Sequence, residues 1–194
     1  MVIRNATPEE SSAIAPLLVS AMEEILYQFI GENAYEKALS FMEKMVRKKD
    51  NQYSHEHCWV AVSEDGIVGV ALIYDGAHLK VLRKPVEAAL KNLFGRELKV
   101  EEETQAGEFY IDCIGVDARQ QGKGIGSALL RFLIDHYCHQ QGKILGLLVD
   151  RDNPKAKQLY LKVGFKPRGE KTFAGKKFDH LQFLVRSERR ETKT

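Results

Sequence analysis

The spacing of apolar residues changes period repeatedly along the chain, and each change marks an element. "VIRNAT" reads as a short strand. "TPEESSAIAPLLVSAMEEIL" has helical character, with Thr7 as N-cap, Pro8 at the first helical position and Glu10 completing a capping box. Pro16, lacking the N–H that a helix uses, is expected to bend it one or two turns in. "ENAYEKALSFMEKMVRKKD" predicts a second helix, whose basic last turn suits the negative end of the helix dipole. The period then shortens: in "HCWVAVSEDGIVGVALIYD" two β-branched runs flank Glu64, Asp65 and Gly66, a hairpin signal with an Asp-Gly turn.

"KPVEAALKNLFG" returns to helical spacing, with Pro85 near its start and Gly95 as C-cap, and a polar, acidic segment runs on to Gly107. Residues 77–107 therefore read as a helical insertion over one edge of the sheet. "EFYIDCIGV" is a fourth strand, "KGIGSALLRFLIDHYCHQQG" a long amphipathic helix ending at Gly142, and "ILGLLV" a buried fifth strand. "NPKAKQLYLKVGF" is a short helix with Pro154 in its first turn and Gly164 past its end. "GFKPRGEKTF" and "FDHLQFLVR" look like a closing hairpin. The expectation is an α/β (α+β) fold with a mixed central sheet flanked by helices.

A length of 194 residues suits one domain, expected over 1–186, with "SERRETKT" (187–194) as a charged, flexible tail. Hydrophobic residues at 44% and charged residues at 29% exclude the disordered and membrane classes. A formal charge of +2 from 29 basic and 27 acidic residues gives no field that would imply nucleic acid. The first residues show no charged start followed by an apolar stretch, and no run is long enough to span a bilayer, so the cytoplasm is the expected location. Cys58, Cys113 and Cys138 are odd in number and form no CxxC pair, which fits a reducing compartment. "HEHC" at 55–58 invites a metal reading, but no second cluster completes a ligand shell, and no metal is expected.

The chemistry concentrates in "GVDARQQGKGIGSALL", where Gly122, Gly124 and Gly126 alternate between a strand and a helix. A P-loop needs Gly-Lys-Ser/Thr, and here Lys123 precedes Gly124. A dinucleotide turn would put its third glycine at Ser127, and although Asp150 could imitate the ribose partner, the loop comes after four strands, too late for a doubly wound sheet. Two readings stay open: a tight turn with no ligand, or a clamp in which N–H groups freed of Cβ crowding converge on a diphosphate at a helix N-terminus.

Gln121, Gly122, Lys123, Gly124, Ile125 and Gly126 match the Q/R-x-x-G-x-G/A motif of the GNAT superfamily of acyl-CoA-dependent N-acyltransferases. The upstream "IGV" and downstream "NPKAKQLYLKVGF" also stand where that family has its bulged strand and its Asn…Leu-Tyr…Gly-Phe segment. The resemblance is strong from Glu108 to Phe165 and departs at Ala118, where many members carry proline, and at Gly115, where alanine is commoner. It implies a mostly antiparallel sheet with acetyl-CoA held between the fourth and fifth strands. It also implies direct transfer of acetyl to a primary amine of a small molecule or peptide in a ternary complex, by a monomer or homodimer.

By that resemblance Ile114 and Val116 offer backbone groups to the pantetheine arm, with a bulge at Gly115, and a backbone N–H near Ile114 stabilises the oxyanion. Gln121, Gly122, Lys123, Gly124, Gly126 and Ser127 hold the diphosphate chiefly through backbone. Asn153 caps its helix and contacts the cofactor, and Tyr160 protonates the departing thiolate. A general base is also required, because an alkyl ammonium with a pKa of about 10.4 cannot attack. On a period of two, Glu108, Tyr110, Asp112 and Ile114 share a face, making Asp112 and Glu108 the candidates, with His180 a further one. A protein of this fold that binds acyl-CoA as a sensor or scaffold, without turnover, is the alternative.

Overall fold

The computed structural model describes residues 1–185, so the tail expected over 187–194 lies outside the described residues. Seven strands form one sheet: β1 (Val2–Asn5), β2 (Cys58–Ser63), β3 (Gly66–Asp75), β4 (Phe109–Val116), β5 (Leu145–Asp150), β6 (Lys166–Phe173) and β7 (Lys176–Phe183). Their order is β1-β2-β3-β4-β5-β7-β6, and every neighbouring pair is antiparallel except β4 and β5. Six α-helices flank the sheet: α1 (Ser11–Ala21), α2 (Glu23–Ile30), α3 (Tyr35–Arg47), α4 (Leu79–Phe94), α5 (Ile125–Leu133) and α6 (Pro154–Lys162).

The capping box forms as read: the Thr7 N–H donates to Glu10 Oε2 at 2.9 Å, and Arg4 holds the same carboxylate. Helix α1 runs through Pro16 without a break. The chain turns instead at Met22, whose backbone leaves the helical region, and the segments on either side meet at 97°. The turn lets Leu26, Phe29 and Ile30 bury against the sheet side, Phe29 meeting Phe173 edge to face, while Ala21 to Ile25 stay at a cleft described below.

Three further boundaries differ from the sequence reading. The β2–β3 turn is Glu64–Asp65, because Ser63 pairs with Gly66. Helix α4 starts at Leu79, six residues before Pro85, behind a cap in which Asp75 Oδ1 accepts from the Ala77 N–H. Proline is tolerated there because the carbonyl it leaves without a helical donor belongs to Val81, 66% exposed and open to water. The long helix after the glycine loop turns π-helical over Ile134–His139 before Gly142.

Two cores result. On one face α1 to α4 bury Ile14, Leu18, Phe41 and Met42 against Val60, Val70 and Leu72; on the other α5 and α6 cover Ile73, Ile111 and Leu147 with Leu129, Leu133 and Phe165. Each such side chain contributes about 1.5–3 kcal/mol by leaving water. The 77–107 segment joins the central strands β3 and β4, and Glu101 reaches the Ala174 N–H at the β6–β7 turn.

Helix α1 lies so close to β4 that a Cβ on Gly115 would come 2.3 Å from the Leu17 carbonyl oxygen. Backbone cannot yield there as a side-chain tip could. Gly115→Ala should cost about 1–3 kcal/mol, the scale of overpacking. For a chain of this size that lowers Tm by roughly 3–10 °C, read by calorimetry; an unchanged Tm would refute the contact.

Candidate active site

The parallel β4–β5 ladder has three pairs, Phe109↔Leu145, Tyr110↔Gly146 and Ile111↔Leu147, and then ends. At the same point β4 carries a bulge: Leu72 pairs with Cys113 and Ile73 with Ile111, so Asp112 is the extra residue. The bulge is therefore at Asp112 and not at Gly115. It also breaks the alternation. Phe109, Ile111, Ile114 and Val116 pack with the α5–α6 core, whereas Tyr110 and Cys113 pack on the opposite face. Ile114 consequently does not share a face with Tyr110, as an unbroken period of two would require.

Beyond the last pair lies a cavity of about 620 Å³, with Asp112, Cys113 and Ile114 of β4 on one side and Leu148, Val149 and Asp150 of β5 on the other. The α1–α2 corner, Asn153 and Tyr160 complete its wall.

Asp112 is pinned through one oxygen. Its Oδ2 accepts from Gln52 Nε2 at 2.8 Å and from the Tyr74 hydroxyl at 2.9 Å. Both hydrogen bonds to its carboxylate among the described residues fall on Oδ2, which leaves Oδ1 without one, and the residue lines the cavity. Burial, reinforced by the nearby Glu103 carboxylate, pushes its pKa up to about 6, against the opposing pull of Gln52, Tyr74 and Arg83. A carboxylate there is a base matched to neutral pH.

Tyr160 projects from α6, whose start is fixed by the Asn153 side chain accepting from the Ala156 N–H at 3.1 Å. Burial, with the Cys113 thiol beside it, pushes its hydroxyl up to about 12, so it stays protonated at neutral pH and can serve as an acid but not as a base. Burial and the neighbouring Asp112 push the Cys113 thiol itself well up, which makes it a poor nucleophile.

Glu108 and His180 do not line the cavity. Glu108 is 2% exposed and accepts from Thr104 Oγ1 at 2.8 Å and Gln182 Nε2 at 2.6 Å, with His180 Nε2 at 2.8 Å. Burial would raise its pKa, but these three partners outweigh it and hold the carboxyl below its usual range. The group joins β4, β7 and the insertion, and has little capacity left for a substrate. The other histidine-rich stretch is also structural in setting: His55 Nδ1 lies 2.9 Å from the Val46 carbonyl, and among the described residues no group of acidic, His or Cys side chains is arranged to hold a metal.

The glycine loop lies outside the cavity, at the β4–α5 connection. Gly122 and Gly124 have φ of +77° and +82°, which side-chain-bearing residues rarely adopt, and a Cβ on either would meet nothing within 4 Å. The space they leave is therefore not filled by the protein's own packing. Gly124 is the N-cap of α5, whose first-turn N–H groups have no intrahelical acceptors. Gly126 and Ser127 stand in that turn. Lys123 donates to Gln120 Oε1 at 2.8 Å. These features fit a diphosphate bound by amides and a helix dipole.

Four residues around the cleft escaped the sequence reading. Gln52 precedes β2, Tyr74 ends β3, Arg83 lies in α4 and Glu103 in the acidic run "EEET"; they converge on Asp112 from separations of up to 60 residues. No local pattern distinguishes them. The cavity wall also holds Glu23, Glu24, Asp150 and Asp152 against a single base, Lys176, which bonds Glu24 and Asp150.

The strands thus part beside a glycine turn that opens a helix, and comparison with known proteins places the chain in a family. The Acetyltransferase (GNAT) family profile matches residues 21–165. The chain belongs to the GNAT acetyltransferase family. It is 33% identical over 86 residues to the spermine/spermidine N(1)-acetyltransferase of Bacillus subtilis strain 168, a segment covering 44% of this chain and 57% of that one. It is 44% identical over 62 residues to the N-alpha-acetyltransferase RimI of Mycobacterium tuberculosis, covering 32% and 37%. The matched segments thus span about half the length of these curated relatives or less. A solved acetyltransferase structure superposes with a TM-score of 0.78 at 32% identity, covering 95% of this chain and all of that one.

Two outcomes follow from the geometry. Glu108→Ala should cost roughly 3 kcal/mol, since it leaves buried donors unpaired. Because its carboxyl titrates lower in the folded than in the unfolded chain, its contribution is full above about pH 4.3 and disappears as pH falls through the folded value. Denaturant melts of Glu108→Gln should lose that part of the acid-side slope, and an unaltered slope would refute it. At the loop, Gly124→Val should sharply weaken CoA binding in calorimetry, while Lys123→Ala should change Kd by less than about fivefold, the scale of an exposed charge contact.

Proposed function

We propose that this chain transfers an acetyl group from acetyl-CoA directly to a primary amine of a cationic small molecule or peptide, in a ternary complex. One observation carries the reading: a carboxylate with a free oxygen and a raised pKa shares the cavity with a phenol that stays protonated. Acetyl-CoA would supply the activated acyl group. The diphosphate would rest on the amides of Gly122, Gly124 and Gly126, beside Gln121, Lys123 and Ser127. Its pantetheine arm would lie along Ile114 and Val116, whose β5 side is left unpaired by the parting of the strands, and Asn153 is close to the same opening.

The acceptor arrives as an ammonium. Six acidic side chains against one basic one attract it; desolvation in the cavity favours its neutral form while the carboxylates favour the ammonium, so its deprotonation calls for a base at hand. Asp112 Oδ1 takes the proton, directly or through water, which frees the amine lone pair for attack. Tyr160 donates toward the sulfur as charge develops on it, and the second proton shed by the nitrogen as the tetrahedral intermediate collapses restores the phenol through water; in a water-poor cleft the sulfur's own proton affinity rises, which narrows the gap to a phenol near 12. Acid lining favours polyamines over peptides with neutral surroundings, and the likeness to a spermine/spermidine acetyltransferase supports the same choice.

A screen of primary amines, including spermidine and peptides with free N-termini, should show CoA thiol release with spermidine well ahead of neutral peptides. Stoichiometric acetyl-CoA binding without thiol release on any amine would overturn the enzyme reading in favour of a sensor. Tyr160→Phe should lower kcat by about 10² to 10⁴ with little change in acetyl-CoA affinity. Equal kcat, with chemistry limiting, would leave Tyr160 a packing residue.

A further inference from the structure

Asp112 is one end of a buried polar chain that extends well outside the cleft. Gln52 Nε2 lies 2.9 Å from Glu103 Oε1 and 2.8 Å from Asp112 Oδ2, so the two protons of one amide bridge two carboxylates. The Tyr74 hydroxyl stands between the same two carboxylates, 2.9 Å from Asp112 Oδ2 and 3.2 Å from Glu103 Oε1, with its single proton given to the nearer, Asp112. Arg83 closes the chain on Glu103 Oε2, and its other nitrogen donates to the Glu101 carbonyl at 3.2 Å. Gln52 is itself tethered, its N–H donating to the Leu82 carbonyl of α4 at 2.9 Å. Gln52, Tyr74, Arg83 and Glu103 are all less than 8% exposed.

Such an arrangement is costly unless it does something. Two carboxylates and one guanidinium leave one uncompensated negative charge when Asp112 is ionised, and none when it is protonated. A buried ion pair alone is weak evidence for stability. We propose that Glu103 and Arg83, carried by the β3–β4 connection, are positioning residues for acetyl transfer: through Gln52 and Tyr74 they hold Asp112 with Oδ1 free, and their charges set the pH at which it accepts the amine's proton. The proton passes from the ammonium nitrogen to Oδ1 and leaves to water when product departs. This rests on the reading of Asp112 as the base. It gives the insertion, which otherwise only bounds the cleft, a part in the chemistry.

The other groups facing Asp112 are Tyr53 beside Gln52, Tyr110 and Cys113 on its own strand, Cys58 across β3, and Tyr160 on α6. Across the cavity stand Glu23, Glu24, Asp150, Asp152 and Lys176, with His57 against the Tyr74 ring. The tyrosines and thiols are neutral near pH 6. The cavity carboxylates and Lys176 are unaltered by the substitutions below, so they form a constant background.

The test is a carbon-13 carboxyl NMR titration of Asp112 in the full chain, which needs no acceptor. Glu103→Gln removes a negative charge and should move the midpoint down, and Arg83→Met should move it up, each by on the order of one pH unit. Gln52→Met, neutral and nearly isosteric, removes a donor and should move it up. A merely structural network predicts lower stability with no such opposition in sign. If a single charge variant does not fold, the pair Arg83→Met with Glu103→Gln removes both charges together, and should titrate between the two expected extremes. Midpoints equal to wild type in the folded variants, or shifted in one common direction, would overturn the proposal. Asp112→Asn separates the two readings: it should abolish the acid limb of kcat/KM for spermidine. If that limb persists, Asp112 is not the base, while the midpoints still decide whether Glu103 and Arg83 govern it.

Discussion

The parting of β4 from β5 is the constraint on which the rest of the molecule depends. Parallel strands joined through a helix put both chain ends on one side, and the ladder between them stops after three pairs because the bulge at Asp112 turns β4 away. Main-chain groups of β4 beyond the bulge are then left without a β5 partner, which in a buried sheet is tolerable only if something else can bond to them. The glycine loop continues from that same strand and ends in a helix N-terminus, so an opening lined by unpaired backbone leads to another set of free amides. Cleft and clamp are consequences of one irregularity.

The same irregularity places the acid–base groups. A bulge adds a residue without adding a pair, so Asp112 can point out of the regular alternation, and its side chain is taken up by Gln52, before β2, and Tyr74 of β3, which in turn meet Glu103 and Arg83. Across the gap, α6 follows β5 and carries Tyr160 to the opposite wall. One group is made more basic by burial beside another carboxylate; the other is kept protonated by burial beside the Cys113 thiol. Environments that push two pKa values apart are what assigns an acid and a base to one site. Glu108, just before the same strand, shows the contrast: with three partners its pKa is held down, and it ties β4, β7 and the insertion together.

Much of this was legible in the sequence. All seven strands, the capping box at Thr7 and Glu10, the glycine loop, Asn153 as a cap and Tyr160 on its helix follow from local patterns, because each depends on residues within a turn or two of one another. The GNAT likeness rests on the same kind of short-range signal. The failures have a common cause as well. Pro16 and Pro85 both lie inside helices, Pro85 because the carbonyl it leaves without a donor faces water. Asp112 and Glu108 were indistinguishable as acidic residues on one predicted face, and the bulge that separates them is set by pairing with β3, some 40 residues away.

What the sequence by itself determined is therefore the inventory of elements and the groups capable of chemistry, since propensity, capping and turn geometry are local. Only the tertiary structure decided which carboxylate has a free oxygen and which is saturated, because hydrogen-bond partners and desolvation come from every element that packs on a site. Gln52, Tyr74, Arg83 and Glu103 meet Asp112 from four separate segments. Charge in a low-dielectric interior is governed by distance in space, and no spacing along the chain encodes that distance.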